Sequence, residues 1–234
     1  MTDRIRIGVG GTGAIESAVH RYYHRWEDEL GLDMMSLHLA GLGRTDVAVE
    51  MLHQRIVAKY GEEAQIDLVA HSQATMVALC YSMRYPHQVA GGKIALLSAL
   101  NRGTGLCRSW MPFVPAARFM APHSRFSQTL SQDLIARRKA LLPLPEYVSI
   151  WTPFDMLIWP PTSSYLEGAD NFILAPRALW PVFNRIFSRK IRAESQYVDC
   201  LTDHIREVST DVVVSLLARV LEAPVRTKSH VAAA

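Results

Sequence analysis

Strand-like and helix-like segments alternate along this 234-residue chain, which predicts an α/β fold with a mostly parallel central sheet and helices on both faces. Two stretches make the prediction specific. "GKIALLSAL" is a continuous apolar run of the kind found in strands covered on both faces. "IDLVAHSQATMVAL" passes from another such strand, through one sharp turn, straight into an apolar helix. With 49% hydrophobic and 20% charged residues, the composition is that of a globular protein with a sizeable core. The length favours a single domain over residues 1–225, followed by a flexible tail at 226–234.

In chain order, Ile5 to Val9 reads as a short strand. It leads into Gly8-Val9-Gly10-Gly11-Thr12-Gly13, a G-x-G-x-x-G turn, and a helix from about Ile15 to Leu30. "MMSLHLAG" is a second strand-like run. "TDVAVEMLHQRIVAKYG" has helical apolar spacing, an N-cap at Thr45 and a terminal Gly61. The strand ending at His71 turns at Ser72-Gln73 into a helix that stops before Pro86, and "GKIALLSAL" follows. Residues 102–142 are irregular and rich in Trp, Phe, Met and Pro. "EYVSIWTP" is a strand, "DMLIWPPTSSYLEGADN" a proline-broken loop, "SQYVDCLTDH" a last strand and loop, and "STDVVVSLLARVLEA" a closing amphipathic helix.

Several function classes are disfavoured. A formal charge of +3, spread along the chain, makes no basic face for nucleic acid. Cys80, Cys107 and Cys200 lie far apart without C-x-x-C spacing, against a metal site and against a disulfide framework. No apolar run is long enough to cross a membrane. The N-terminus enters strand-like sequence without an export leader, so a cytoplasmic protein is expected; an exported chain trimmed of its leader would read the same.

The chemistry concentrates at Ala70-His71-Ser72-Gln73-Ala74. A serine on the turn from a buried strand into a helix sits at the carboxyl edge of the sheet, where open α/β sheets hold their ligands. This is the setting of a nucleophile elbow, G-x-S-x-G, with alanine at both glycine positions. The bland alternative is a strand-to-helix turn with Ser72 as a helix cap. An elbow requires an acid and then a histidine later in the chain, each after a strand. Asp155 follows "YVSIWTPF", and His204 follows "YVDCLTD". On their own, Asp155 reads equally as a turn residue beside Pro153, and His204 as a solvated loop histidine. The rivals fit less well. His71 adjoins the serine and suits loop support, while His20, His24, His38, His53, His87 and His123 precede Asp155. His230 lies in the tail. Asp133 and Asp170 flank the wrong segments, Asp199 is too near His204, and Asp203 is at most a local orienter.

At the elbow and the acid loop the sequence resembles the α/β-hydrolase family, and within it small bacterial lipases and esterases without a large cap domain. "IDLVAHSQATMVAL" with "VAGGKIALLSALNRG" resembles their strand, A-H-S-x-G elbow, helix and next strand. "VSIWTPFDMLIWPPTSSYLEGADNFIL" resembles their acid loop, with Ser or Thr before the Asp and an L-x-G-A-x-N phrase after it. The likeness runs from Ile5 to the closing helix and is loose outside these two stretches. It implies an α/β-hydrolase fold with Ser72 as nucleophile, Asp155 as acid and His204 as base. It also implies an oxyanion hole built from the backbone N–H groups of Gln73 and Thr12. Residues 102–142 would then be a lid or pocket insertion, with Trp110, Met111, Phe113, Phe119, Met120 and Trp159 lining an acyl pocket or simply packing over the sheet. Two departures stand out: Ala74 replaces a glycine, and "APRALWPVFNRIFSRKIRAES" intervenes before His204 where the family places G-x-G-H soon after the A-x-N strand.

This reading also settles the use of the glycine turn. A dinucleotide site wants an acidic residue at the end of the second strand, whereas "MMSLHLAGLG" ends in apolar residues beside His38. A loop offering a backbone N–H to an oxyanion explains the glycines better. The expected function is a serine hydrolase that cleaves carboxylic esters with apolar acyl groups, needs no cofactor and makes transient contact with lipid surfaces. The alternatives are a thioesterase or acyltransferase using the same residues, and an inactive hydrolase-like binding protein.

Overall fold

The computed structural model describes residues 4–10, 16–37, 44–105, 107, 118, 120, 121, 124, 129, 132, 136 and 144–222. Within them the strands β1 (Ile5–Val9), β2 (Asp33–Met35), β3 (Ile66–His71), β4 (Lys93–Leu97), β5 (Glu146–Trp151), β6 (Asp170–Leu174) and β7 (Ser195–Val198) form one sheet. Its order is β2-β1-β3-β4-β5-β6-β7, and every neighbouring pair is parallel. The chain steps outward from β1 to β2 and then crosses back to β3. The strand order therefore reverses between β1 and β3, the position where a crevice opens at the carboxyl edge of an open sheet. Val9 pairs with Ala70 there, which sets the end of β1 beside the turn after β3.

Parallel strands need crossovers, and helices supply them. Among the described residues the helices are α1 (Glu16–Leu30), α2 (Thr45–Tyr60), α3 (Ala74–Arg84), α4 (Pro86–Val89), α5 (Trp180–Ile186), α6 (Arg189–Ala193) and α7 (Asp211–Glu222). Because side chains alternate across a strand, each central strand feeds two cores. Leu68, Ala70, Ile94 and Leu96 pack with Val49, Leu52 and Ile56 of α2 and Val77 of α3. Val69, Ala95, Leu97 and Val148 pack with Val19, Tyr23 and Trp26 of α1 and Val213 and Leu217 of α7. A third cluster joins Trp151, Tyr165 and Ile173 to Phe183, Phe187 and Ile191.

The loop after β5 is tied to the sheet by buried polar groups. Ser149 Oγ donates to the Ser164 carbonyl at 2.6 Å, and Asn101 Nδ2 donates to the same oxygen at 2.8 Å. The Asn171 amide donates to the Leu166 and Ala169 carbonyls and accepts from the Leu166 N–H. Hence β6, whose first two residues the sequence reading placed in the proline-broken loop, is a buried strand whose Asn171 serves that loop. The intervening stretch before β7 is the helical crossover α5–α6. Thr45 is the first helical residue and not the cap: Arg44 occupies the N-cap, its carbonyl accepting from Val47 and Ala48, while Thr45 is buried. The second strand ends at Met35, short of the run expected. Most of the 102–142 insertion and all of the 226–234 tail lie outside the described residues.

Leu52 on α2 is fully buried between helix and sheet. Leu52→Ala is expected to lower unfolding free energy by about 2–5 kcal/mol, read as an earlier urea midpoint with an unchanged slope.

Candidate active site

The turn after β3 reverses the chain within two residues, and Ser72 makes the reversal at φ 58°. An L-residue with a Cβ takes this left-handed conformation at a cost of roughly 1–3 kcal/mol, so its surroundings must hold it. The Ser72 N–H donates to the Leu97 carbonyl at 2.9 Å, a bond to the neighbouring β4. The Ser72 carbonyl accepts from the Thr75 N–H at 3.0 Å and from Thr75 Oγ1 at 2.6 Å. Ala70 and Ala74 are both buried, keeping side-chain bulk small where strand and helix backbones converge. At the neighbouring strand end, a Cβ on Gly10 would stand 3.0 Å from Val19 and 3.1 Å from Tyr23. That glycine lets α1 close onto the sheet beside the turn.

His204 and Asp155 reach Ser72 from loops after β7 and β5. His204 Nε2 lies 3.0 Å from Ser72 Oγ, and His204 Nδ1 lies 2.8 Å from Asp155 Oδ2. Asp155 Oδ1 accepts the Leu157 and Ile158 N–H groups, both at 2.9 Å. Burial by itself raises the Asp155 carboxyl, but the His204 hydrogen bond and charge, Ser98 and the Ile158 N–H together hold it below the ordinary range. Asp155 is thus a carboxylate at neutral pH. It accepts a hydrogen bond from the His204 Nδ1–H, which leaves the Nε2 lone pair facing the serine hydroxyl. An imidazole held between a serine hydroxyl and a buried carboxylate is the arrangement that general-base activation of a nucleophile requires.

His71 braces the histidine loop. Its Nε2 lies 3.0 Å from the His204 carbonyl, and its Nδ1 lies 2.8 Å from the Tyr23 hydroxyl. A carbonyl only accepts, so the His71 proton sits on Nε2 and the tyrosine donates to Nδ1. Burial, followed by the charge of His204, pushes the His71 imidazole down to about 3.

Among the other sequence candidates, the Asp203 carboxylate caps the N–H groups of Ile205 and Arg206 and does not orient the imidazole. Asp199 takes the Arg177 N–H, and His53 stacks on Tyr85. Gln73 is buried at the start of α3. Thr12, Trp110, Met111, Phe113 and Phe119 lie outside the described residues. Met120 is buried, and its carbonyl accepts the Thr104 N–H at 2.7 Å. Trp159 is 62% exposed in the loop after Asp155, and Thr104 and Gly105 fasten its backbone. With it, Met156, Leu157, Leu201 and Ile205 make an exposed apolar rim on the two loops that carry Asp155 and His204. Sequence reasoning passed over Tyr23, Ser98 and Glu207, which contact the site from distant segments.

No family model matches the chain, and no curated protein matches it. Solved structures do. Phospholipase PlaB from Legionella pneumophila superposes with a TM-score of 0.58 at 10% identity, over 96% of this chain and 61% of that one. This chain therefore spans about three fifths of the phospholipase. A fluorophosphonate-binding serine hydrolase of Staphylococcus aureus, FphF, gives 0.55 at 12% identity over 95% and 86% of the two chains. The mature lipase BlEst2 of Bacillus licheniformis gives 0.52 at 12% identity over 72% and 81%.

The chain has the α/β-hydrolase fold. In that fold the nucleophile elbow, the acid and the histidine follow one another along the chain, the order that Ser72, Asp155 and His204 keep here. The buried His71 adds a titration signature. Below its ordinary value of 6.5 an unfolded imidazole takes up a proton that the folded one refuses down to about 3. The unfolded state then holds more protons, so stability falls as pH drops through this window. His71→Gln is expected to show a shallower loss of unfolding free energy between those limits, measured by urea titration at several pH values; an unaltered slope would contradict a neutral His71.

Proposed function

We propose that the protein is a serine hydrolase that cleaves carboxylic esters with apolar acyl groups through an acyl-enzyme. The observation that carries this reading is the unbroken hydrogen-bonded line from Ser72 Oγ through His204 to Asp155, at 3.0 and 2.8 Å. Its starting point is a serine strained into an elbow conformation.

Ser72 Oγ attacks the ester carbonyl carbon while His204 Nε2 takes the hydroxyl proton, and Asp155 stabilises the imidazolium that forms. The carbonyl oxygen becomes an oxyanion facing the Gln73 N–H at the head of α3 and the Thr12 N–H of the glycine turn. A preorganised donor of this kind lowers the barrier by about 2.7–4 kcal/mol. Collapse of the tetrahedral species breaks the bond to the alkoxide, which His204 protonates. Water then loses a proton to His204, adds to the acyl carbon and releases the acid, and the proton returns to Ser72. The exposed apolar rim of Met156, Leu157, Trp159, Leu201 and Ile205 supports an apolar acyl group and an ester presented at a lipid surface. The fold neighbours named above agree with this chemistry.

Ser72→Ala is expected to abolish both turnover of nitrophenyl esters and labelling by an organophosphorus probe. Labelling of that variant at the wild-type rate would contradict the assignment. Asp155→Asn should keep the fold and lower kcat by about 10⁴. Rates should rise with acyl length from acetate upward, and faster turnover of matched acyl thioesters would replace the ester reading with a thioesterase.

A further inference from the structure

Behind Asp155 the core holds a second carboxyl group that the proposed chemistry does not use. Glu207 lies in the short 3₁₀ turn Arg206–Ser209, three residues after His204, and is completely buried. Its Oε2 is hydrogen-bonded to Ser98 Oγ, and its Oε1 has no partner among the described residues. Ser98 ends β4 at φ 46°, with its N–H donated to the Ile150 carbonyl at 2.9 Å. The same Ser98 hydroxyl is among the groups that hold the Asp155 carboxyl below its ordinary range. One hydroxyl therefore acts on two carboxyl groups in the interior.

Both carboxyls cannot be charged there at low cost. Asp155 has two backbone N–H groups and the His204 imidazole to stabilise its charge. Glu207 has one hydroxyl and, among the described residues, no ion pair. We propose that Glu207 is a positioning residue: as a neutral carboxylic acid it donates its proton to Ser98 Oγ, so that the Ser98 hydroxyl donates in turn to Asp155 and fixes that carboxylate against His204. The heavy-atom positions fit either direction of the Glu207–Ser98 bond, and the electrostatics select this one.

The surroundings agree. Burial above all pushes the Glu207 carboxyl well above the usual range; the Ser98 bond opposes this, while the charges of Asp155 and Asp203 add to it. Cys200, on the loop after β7, feels the same carboxyl. From α1, Trp26 Nε1 donates to the Val208 carbonyl, and Arg25 is engaged by Glu29, Asp211 and the Ser209 carbonyl. From α7, Asp211 meets Arg25. The effect on function is specific. A neutral acid orients Asp155 without adding a second negative charge that would hold the His204 imidazolium and spoil it as a base.

The protonation of Glu207 stands without any activity, whereas its positioning role rests on the serine-hydrolase reading; the test separates them. An unfolded glutamate ionises above about 4.5, while the buried one keeps its proton. The folded state then binds more protons, and the glutamate's contribution to stability falls as pH rises. Urea unfolding between pH 5 and 8, carried out in the inactive Ser72→Ala background, should show a less downward slope after Glu207→Gln. Parallel slopes would overturn the neutral acid. In the active protein Glu207→Gln, which keeps a donor toward Ser98, should leave kcat and the acid limb of the kcat/KM profile as in the wild type. Ser98→Ala and Glu207→Ala should each lower kcat by about tenfold or more with KM unchanged. An acid limb moved to lower pH in Glu207→Gln, or full kcat in Ser98→Ala, would overturn the proposal even if Glu207→Ala fails to fold. Loss of probe labelling in the wild type would instead strike the serine-hydrolase reading and leave the slope comparison intact.

Discussion

Ser72 occupies a backbone conformation that its Cβ makes unfavourable, and the surrounding elements are arranged so that no alternative is cheaper. Releasing it toward an ordinary strand or helix conformation would break the bond from its N–H to Leu97 and the pair of bonds from Thr75 to its carbonyl. These partners are fixed by the parallel pairing of β3 with β4 and by the first turn of α3. The constraint therefore begins in the sheet register. Burial of Leu68, Ala70, Ile94 and Leu96 against α2 and α3 sets the two strands, the strands set the turn, and the turn presents a hydroxyl at the sheet edge.

The polar groups around that hydroxyl divide charge sparingly. Asp155 alone, with two N–H donors and an imidazole, has enough partners to remain ionised in a nearly closed environment. His71 is denied its proton by burial and becomes a neutral strut from Tyr23 to the His204 carbonyl. Glu207, in the reading proposed above, keeps its proton and becomes a neutral donor on the far side of Asp155. The consequence is one negative charge placed where a transient imidazolium would need it, with orientation supplied by neutral groups. The same two loops that carry Asp155 and His204 turn Met156, Leu201 and Ile205 outward, so an apolar approach surface and the polar line behind it share their supports.

The parts of this arrangement legible in the sequence are those that local pattern controls. "IDLVAH" and "KIALL" are too apolar to lie anywhere but between two helical layers, and the abrupt helix after Ser72 leaves room only for a tight turn. Positions 155 and 204 followed from strand ends and chain order, and the structure brings His204 within hydrogen-bond distance of Ser72 and Asp155 within hydrogen-bond distance of His204. The start of β6 was hidden because "DNFIL" adjoins a run of turn residues, and its asparagine looks like more turn until Leu166 and Ala169 fold back onto it. Tyr23, Ser98 and Glu207 carried no local mark. A tyrosine on an amphipathic helix and a glutamate amid "DHIREVS" look like surface residues. Their burial is decided by contacts 48 and 109 residues away along the chain. Thr12 and the aromatic residues of the 102–142 insertion lie outside the described residues, and the pocket stays an inference from sequence.

The central claim is that backbone strain at one turn presents a hydroxyl to an imidazole backed by a carboxylate. A crystal structure of the protein after reaction with a phosphonate ester tests it most directly. The account predicts phosphorus bonded to Ser72 Oγ with the residue still in the left-handed region, His204 Nε2 beside the departed group's position and the phosphoryl oxygen turned toward the Gln73 N–H. Phosphorus on any other side chain, or a Ser72 that relaxes to an ordinary backbone angle with His204 swung away, would contradict it.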